Sequence, residues 1–367
     1  MKIANQYRLG ESTEIFYNGQ EEVVFRKGVW NYEEAVLDIS QFDDDTGEAI
    51  LAVFREISEG KAVSTDDLFS RFKIDSGEVD RFLSVLEELT EQGYLSDGKE
   101  DRTKQLITHL IGGTASTGLS GNIADFANTM LICDSKPVEQ QMKAMAEQIS
   151  LHMDVLSEED LRQIAEADLT GKLDALSTES QYEKLTPLFA QCSSVLICME
   201  RPHIRLLRNV NRILLRMSIP FVVCLLDGPF LSVMTIKGYE TGCFECYETR
   251  VMARLESMAA YRSYVENSSG HLRKSDQTSL APILSMISSL GLFEAFLINS
   301  IHKAKLAGRV FNIYLPLLEV QVQDLLRVPF CSACGHIAKA QYEEMYTSSE
   351  EIVEKLIERV EISPDGE

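Results

Sequence analysis

Gly242-Cys243-Phe244-Glu245-Cys246 and, far downstream, Pro329-Phe330-Cys331-Ser332-Ala333-Cys334-Gly335 are the two stretches that decide the fold. Each CxxC pair puts two thiolates on one tight turn, and two such knuckles complete a tetrahedral sulfur cage suited to Zn2+. Cys243, Cys246, Cys331 and Cys334 are therefore the expected metal ligands. Four thiolates leave no open position for water or substrate, so the expected zinc is structural. Such a site converts about 10–16 kcal/mol of apparent binding energy into folding energy and staples two distant segments.

Upstream of the first knuckle, Asp101 to Asp227 alternates strand and helix patterns, the rhythm of a parallel sheet with crossover helices. Gln105–Ile111 reads as a strand, followed by the glycine-rich turn Gly112–Gly118 and a helix over Leu119–Met130. Leu131–Asp134, Ser193–Met199 and Phe221–Leu226 read as buried strands, the last two separated by a helix over His203–Ser218. Phe230–Ile236 is a strand leading into the first knuckle, and Tyr247–Tyr264 continues as one helix. Glu266–Ser279 is polar and loop-like. Ala281–Ala304 is a long apolar helix offering Ile283, Met286, Ile287, Leu290, Phe293 and Leu297 for burial. Its Glu294, Asn299, His302 and Lys303 argue for a core or dimer helix over a membrane span, so a homodimer is expected. Arg309–Val328 supplies strands that return the chain to the second knuckle, and Ser348–Val360 is an acidic amphipathic helix.

The first hundred residues have a different pattern. Ile15-Phe16-Tyr17 and Val23-Val24-Phe25 flank Asn18-Gly19, a hairpin signal, and Ala35–Ser40 is a third strand. Three helices follow: one with Ile50, Leu51, Phe54 and Ile57 on a face, one opening at Ser64-Thr65-Asp66-Asp67 with Leu68, Phe69 and Phe72, and one with Val79, Phe82, Leu83 and Leu86, stopping near Gly93. This is a winged-helix-like layout. Its third helix carries Glu78, Asp80, Glu87, Glu88 and Glu91 against Arg81 alone, a poor match to phosphates. Two readings remain: capture of an extended peptide on the third strand and third helix, or a plain packing module.

The chain of 367 residues carries 57 acids against 35 bases, a formal charge of −22, which argues against nucleic acid as a partner. Cys133, Cys192, Cys198 and Cys224 sit in or beside apolar runs and read as inert buried thiols. With no signal peptide pattern and no uninterrupted membrane-length apolar run, a reducing cytoplasm is the expected compartment, with no membrane partner. The glycine turn fits neither GxGxxG nor a P-loop, so a turn plus a solvated Asp134 is preferred over a nucleotide site with Asp134 on a ribose. Arg201, Arg205, Arg208, Arg212 and Arg216 form a basic helix stripe, read as pairing with the chain's own acids, the alternative being an acidic partner or a phosphate. No catalytic constellation is visible; His109 and His336 read as packing or surface residues.

The order of these parts resembles the ThiF-like (ubiquitin-activating-type) leader-peptide-binding partner proteins of thiazole/oxazole-modified microcin cyclodehydratases. The most specific motifs are Gly242-Cys243-Phe244-Glu245-Cys246-Tyr247-Glu248-Thr249-Arg250 and Cys331-Ser332-Ala333-Cys334-Gly335. The resemblance implies an α/β chain: a winged-helix-like RiPP recognition element over 1–97, a ThiF-like adenylation-type fold with the structural zinc over 101–337, and an acidic tail over 338–367. It implies a non-catalytic subunit that binds the leader of a ribosomal precursor peptide. A YcaO-type cyclodehydratase would then use ATP to form azoline rings in a bacteriocin-like product, with a flavin dehydrogenase as a further partner. The leader would add a strand beside Val36, Leu37, Asp38, Ile39 and Ser40 and contact Phe82, Val85 and Leu89. An active adenylating relative carries GxGGxG after its first strand and an aspartate pair after a later one. Here Gly112-Gly113-Thr114-Ala115 and Cys198-Met199-Glu200 stand instead, so ATP is not expected on this chain. The alternative is a ThiF-type adenylating enzyme acting on a peptide or carrier C-terminus.

Overall fold

A computed structural model describes residues 6–10, 12–19, 21–30, 32–64, 76–96, 102–111, 128–170, 175–267 and 274–335. The expected helix at Leu68–Phe72, the glycine turn, most of the helix expected over Leu119–Met130, His336 and the C-terminal tail lie outside these residues. The chain divides into two compact units, Met1–Asn122 and Ile123–Glu367.

In the first unit, β1 (Gln6–Leu9) pairs antiparallel with the short strands β5 (Val63–Ser64) and β6 (Leu95–Ser96). A separate meander joins β2 (Thr13–Asn18), β3 (Glu22–Lys27) and β4 (Glu33–Asp38) in the order β2-β3-β4. The Asn18-Gly19 signal produces the expected hairpin: Gly19 sits at φ +74, and the Asn18 amide donates to Glu22 at 2.8 Å. The third strand ends at Asp38, not Ser40. The Asp38 carboxylate accepts from the Ser40 amide and hydroxyl at 3.0 and 2.6 Å, drawing Ile39–Gln41 into a 3-10 turn.

Among the described residues, helices α1 (Asp44–Ser58), α2 (Ser76–Glu91) and α3 (Arg102–Ile111) belong to this unit. Asp43 caps α1 by accepting from the Thr46 amide at 2.7 Å. The core is an aromatic chain: Phe54 meets Phe25 at 5.0 Å and Phe82 at 5.8 Å, both edge-on. The strand expected at Gln105–Ile111 is instead the body of α3. Leu106, Ile107, Leu110 and Ile111 fall at i, i+1, i+4 and i+5, which is one stripe of a helix.

The second unit is a mixed seven-stranded sheet of order β13-β12-β11-β10-β9-β7-β8. Strands β7 (Asn128–Cys133), β8 (His152–Val155), β9 (Ser194–Met199) and β10 (Phe221–Asp227) are parallel. Strands β11 (Phe230–Ile236), β12 (Arg309–Tyr314) and β13 (Glu319–Asp324) continue antiparallel. Val195–Cys198 and Phe221–Leu226 are buried without alternation, as strands covered on both faces must be. The connecting helices are α4 (Lys136–Gln148), α5 (Glu158–Glu166), α6 (Ala175–Leu185), α7 (Ile204–Arg216), α8 (Phe244–Met252), α9 (Met258–Asn267) and α10 (Ala281–Ile301). Alternation along β11 separates the two layers: Thr235 bonds Glu294 of α10, while Met234 and Ile236 join the core that holds α7 and the knuckles.

Three sequence expectations are corrected here. Residues 128–130, expected as the end of a helix, already belong to β7. The single helix expected over Tyr247–Tyr264 is two, α8 and α9, with 253–257 between them. The buried stripe of α10 runs through Leu284, Ile287, Ser288, Gly291, Leu292 and Ala295, while Met286 is exposed. Small residues face the strands because they let the helix approach closely: a Cβ at Gly291 would stand 2.4 Å from the Cys224 Sγ. Among the described residues α10 is long and apolar enough to cross a membrane, yet it packs on β9, β10, β11 and α4 of its own chain. That packing removes the reason its length offered for a dimer.

Candidate metal centre and strand edge

The first knuckle forms where β11 gives way to α8, and the second follows β13. The main chain joins them: the Gly242 amide donates to the Leu325 carbonyl at 3.2 Å, and the Val328 amide donates to the Cys246 Sγ at 3.3 Å. Cys243, Cys246, Cys331 and Cys334 are all buried, with their sulfurs mutually within 4.8 Å. Cys243–Cys246, Cys243–Cys331 and Cys246–Cys334 lie 3.8, 3.5 and 3.4 Å apart. A disulfide needs about 2.05 Å. A tetrahedral cage with metal–sulfur bonds of about 2.3 Å needs sulfurs about 3.8 Å apart, so the four thiols fit a metal ion. The sulfurs share protons unequally. Hydrogen bonds from Cys243, Cys331 and Cys334 hold the Cys246 thiol far below its ordinary value, the Cys243 bond brings Cys331 to about 6, and Cys243 is pushed up.

Three of the five arginines of the basic stripe, Arg208, Arg212 and Arg216, pair closely with acids of the same chain, while Arg201 precedes α7 and lies 3.9 Å from its neighbour Glu200. Arg212 and Glu245 make two contacts, Nε–Oε1 at 2.8 Å and Nη2–Oε2 at 3.0 Å, with side chains only 10% and 8% exposed. Ser332 of the second knuckle donates to the same carboxylate at 2.7 Å, so Glu245 ties both knuckles to α7. Arg208 holds Glu248 through contacts of 2.8 and 2.6 Å, and Arg216 holds Glu179 at 2.9 and 2.6 Å. Tyr261 donates to Glu248; burial and then this carboxylate push its phenol well up. Sequence reasoning missed Glu245 and Glu248 as structural partners. The available signal was spacing: two acids three apart on one helix match two arginines four apart on another.

The other thiols are buried, as expected. Cys133, Cys198 and Cys224 are register partners across β7, β9 and β10, and burial raises the Cys133 and Cys198 thiols. Asp134, at the C-terminal end of β7, is not the solvated acid expected. Its carboxylate accepts the Glu200 and Arg201 amides at 2.8 and 2.9 Å. Burial nonetheless raises its pKa. Both oxygens are engaged in clamping the ends of two neighbouring parallel strands. His109 is exposed on α3.

The residues expected to meet a peptide are dispersed in role. Val36, Leu37 and Asp38 lie on β4, with Val36 57% exposed; Ile39 and Ser40 lie in the 3-10 turn. Phe82 and Leu89 are buried core residues, and Val85 is half-buried against that core. Among the described residues β4 is an outer strand of its sheet. The Ile39 amide donates to Glu21 at 2.6 Å, which sets the inward parity of the ladder. Leu37 and Ala35 then face β3, and among the described residues the N–H and C=O groups of Glu34 and Val36 and the N–H of Asp38 face the open side, the Asp38 C=O being taken up by the 3-10 turn. Arg81 of α2 reaches the end of this strand: it donates to the Gln41 side chain at 3.0 Å and lies 5.2 Å from the Phe42 ring.

No protein-family model and no curated relative matches the sequence. Solved structures do match. A heterocyclase in complex with substrate and cofactor superposes with a TM-score of 0.56 at 12% identity, covering 90% of this chain and 40% of that one. The heterocyclase TruD superposes with a TM-score of 0.54 at 14% identity, covering 92% and 44%. E. coli MccB gives 0.48 at 14% identity, covering 90% and 100%. The chain thus spans less than half the length of the two heterocyclases, and over that span it shares their fold.

Proposed function

We propose that this chain is a non-catalytic, peptide-binding component of a complex that closes azoline rings in a ribosomal precursor peptide. The observation that carries this reading is the open edge of β4, where the backbone groups of Glu34, Val36 and Asp38 can pair with an added strand. On this reading the first unit acts as a winged-helix-like recognition element for the leader. The buried Phe82 and Leu89 shape the support behind the strand, and Val85 and the exposed Val36 are left for contact. A strand held by backbone bonds tolerates a variable core peptide, and a micromolar affinity, about −8 kcal/mol, suffices for capture with turnover.

The two heterocyclases extend well beyond the matched span, which supports a division of labour in which a separate YcaO-type partner brings the ATP-dependent chemistry and a flavin dehydrogenase acts later. Asp134 supports a non-catalytic role, since both its oxygens are already engaged by amides. The four cysteines hold zinc as a structural ion, and a reducing cytoplasm would keep them available to it.

The test is to recover the tagged chain from its native cells and identify its companions by mass spectrometry. A YcaO protein together with a short Cys/Ser/Thr-rich peptide is expected. That peptide's leader should bind the purified chain saturably. Val36→Pro removes an outward N–H without touching the β3 ladder, so it should weaken leader binding while leaving the thermal midpoint nearly unchanged. Pyrophosphate exchange by the chain alone, abolished by Asp134→Ala, would replace this reading with an adenylating enzyme.

A further inference from the structure

One level of the large sheet carries an unusual row. Asp227 pairs with Phe230, Phe230 with Tyr314, and Tyr314 with Glu319, across β10, β11, β12 and β13. Directly paired residues in antiparallel strands share a face. The row therefore reads acid, aromatic, aromatic, acid on one surface. Phe230 is 46% exposed, and its ring lies 5.0 Å from that of Tyr314 with a tilt of 34°. The pair borders an open cleft of about 240 Å³, with Asn312 and Gln321 one level below and Glu319 at the rim. Among the described residues neither Asp227 nor Glu319 takes part in an ion pair, whereas the acids around the metal centre are matched by arginines. The Phe230–Tyr314 pair supports the sheet as a cross-strand contact, and the half of Phe230 that stays exposed is left to solvent between the two carboxylates. Leu317 and Leu318, in the turn that joins β12 to β13, add exposed apolar surface beside the row.

We propose that this row is a docking site for an arginine side chain carried, next to an apolar residue, by a partner polypeptide. The physical case is the match of chemistry. A guanidinium is planar, stacks on an aromatic face, and can give two hydrogen bonds to one carboxylate while it does so. Leu317 supplies an apolar neighbour; the Asn312 and Gln321 side-chain oxygens already accept from Ser232 at 2.7 Å and Gln323 at 3.1 Å, so the carboxylate is the acceptor the site offers. The formal charge of −22 favours the approach of a basic segment from a distance. Lysine, a compact and strongly hydrated cation, fits the two flat rings less well. This site is built from residues of the second unit alone and requires neither the leader nor β4.

The experiment is a titration of the full chain with Ac-Leu-Arg-NH2 and with its neutral counterpart, Ac-Leu-citrulline-NH2. The ring-proton NMR signals of Phe230 and Tyr314 report binding at the row itself. The arginine peptide should shift both rings and half-saturate at a concentration about tenfold below the citrulline peptide, as a cation over an aromatic face beside a carboxylate implies. Glu319→Gln and Phe230→Ala should each abolish most of that preference; the thermal midpoint of Glu319→Gln should match the parent chain because that side chain is exposed, while Phe230→Ala should also lower it slightly by removing a cross-strand aromatic contact. Equal binding of the two peptides, unchanged binding by the variants, or no ring shifts with the arginine peptide would each overturn the proposal. A failure of leader binding at Val36 leaves this result untouched.

Discussion

Arg212 and Glu245 illustrate how a residue can be essential to a fold and add little net stability. Both are nearly withdrawn from water, and each carries the other's charge through two hydrogen bonds. Breaking one side of such a pair leaves an unmatched buried charge and costs about 3–5 kcal/mol, whereas replacing both by apolar groups is close to neutral. Arg212→Met should therefore lower the urea midpoint sharply, and adding Glu245→Met should restore most of it. If the double variant is as unstable as the single, the carboxylate matters more for Ser332 than for the arginine. At the cysteines, Cys331→Ser should abolish stoichiometric zinc, measured by elemental analysis against about one ion per chain in the parent. At this scale the gathering of the four cysteines was legible, because CxxC spacing is a geometric statement about neighbours in the chain. Glu245 was not recognised because its partners are on α7, a separate helix, and only folding brings them together.

At the scale of elements, α10 shows what a hydrophobic pattern leaves out. Its composition marks a buried helix, but a helix apolar all round has no stripe to read, and the face was misassigned around Met286. The face is set by what allows close approach. A Cβ at Gly291 would meet the Cys224 Sγ at 2.4 Å and the Leu196 Cδ1 at 2.9 Å. Gly291→Ala should cost about 1–3 kcal/mol by overpacking, and Cys224→Ala should recover part of the loss by making room. Calorimetry on the two single variants and the double variant separates this from a change of helix propensity, which Cys224→Ala would not relieve. A second tie lies at α4. Burial alone would raise the Glu139 pKa, but Lys274 at 2.8 Å, followed by Lys143, brings it below the ordinary value. Its contribution is then complete above the unfolded carboxylate value of about 4.3 and is lost as the pH falls from there through the lower folded value. Glu139→Gln should flatten that acid limb of the stability curve. The strand misread at Gln105–Ile111 has the same cause as the misread face: a short apolar run does not declare its period.

At the scale of the whole molecule, β7, β9 and β10 were legible because each is largely a buried apolar run, whereas the parallel edge strand β8, His152–Val155, was not, because it is short and partly exposed. The seven-strand order was not, because the β7–β9 and β11–β12 pairings join strands far apart in the sequence. Chelation of the metal under reducing conditions should release about one zinc per chain and lower the thermal midpoint well beyond any single surface variant, since structural zinc energy is folding energy. A midpoint that does not move would mean that packing alone holds the two knuckles. The knuckle pairs are also separated in time. Cys243 and Cys331 are 88 residues apart, and a ribosome adds about 5–20 residues each second, so the first pair waits roughly 4–18 s for the second. During that interval Cys243 and Cys246 are an unguarded dithiol on a half-built sheet. Synthesis in an oxidising compartment, or under metal starvation, would therefore damage newborn chains far more than finished ones, and the yield of active protein should depend on zinc supply during translation rather than afterwards.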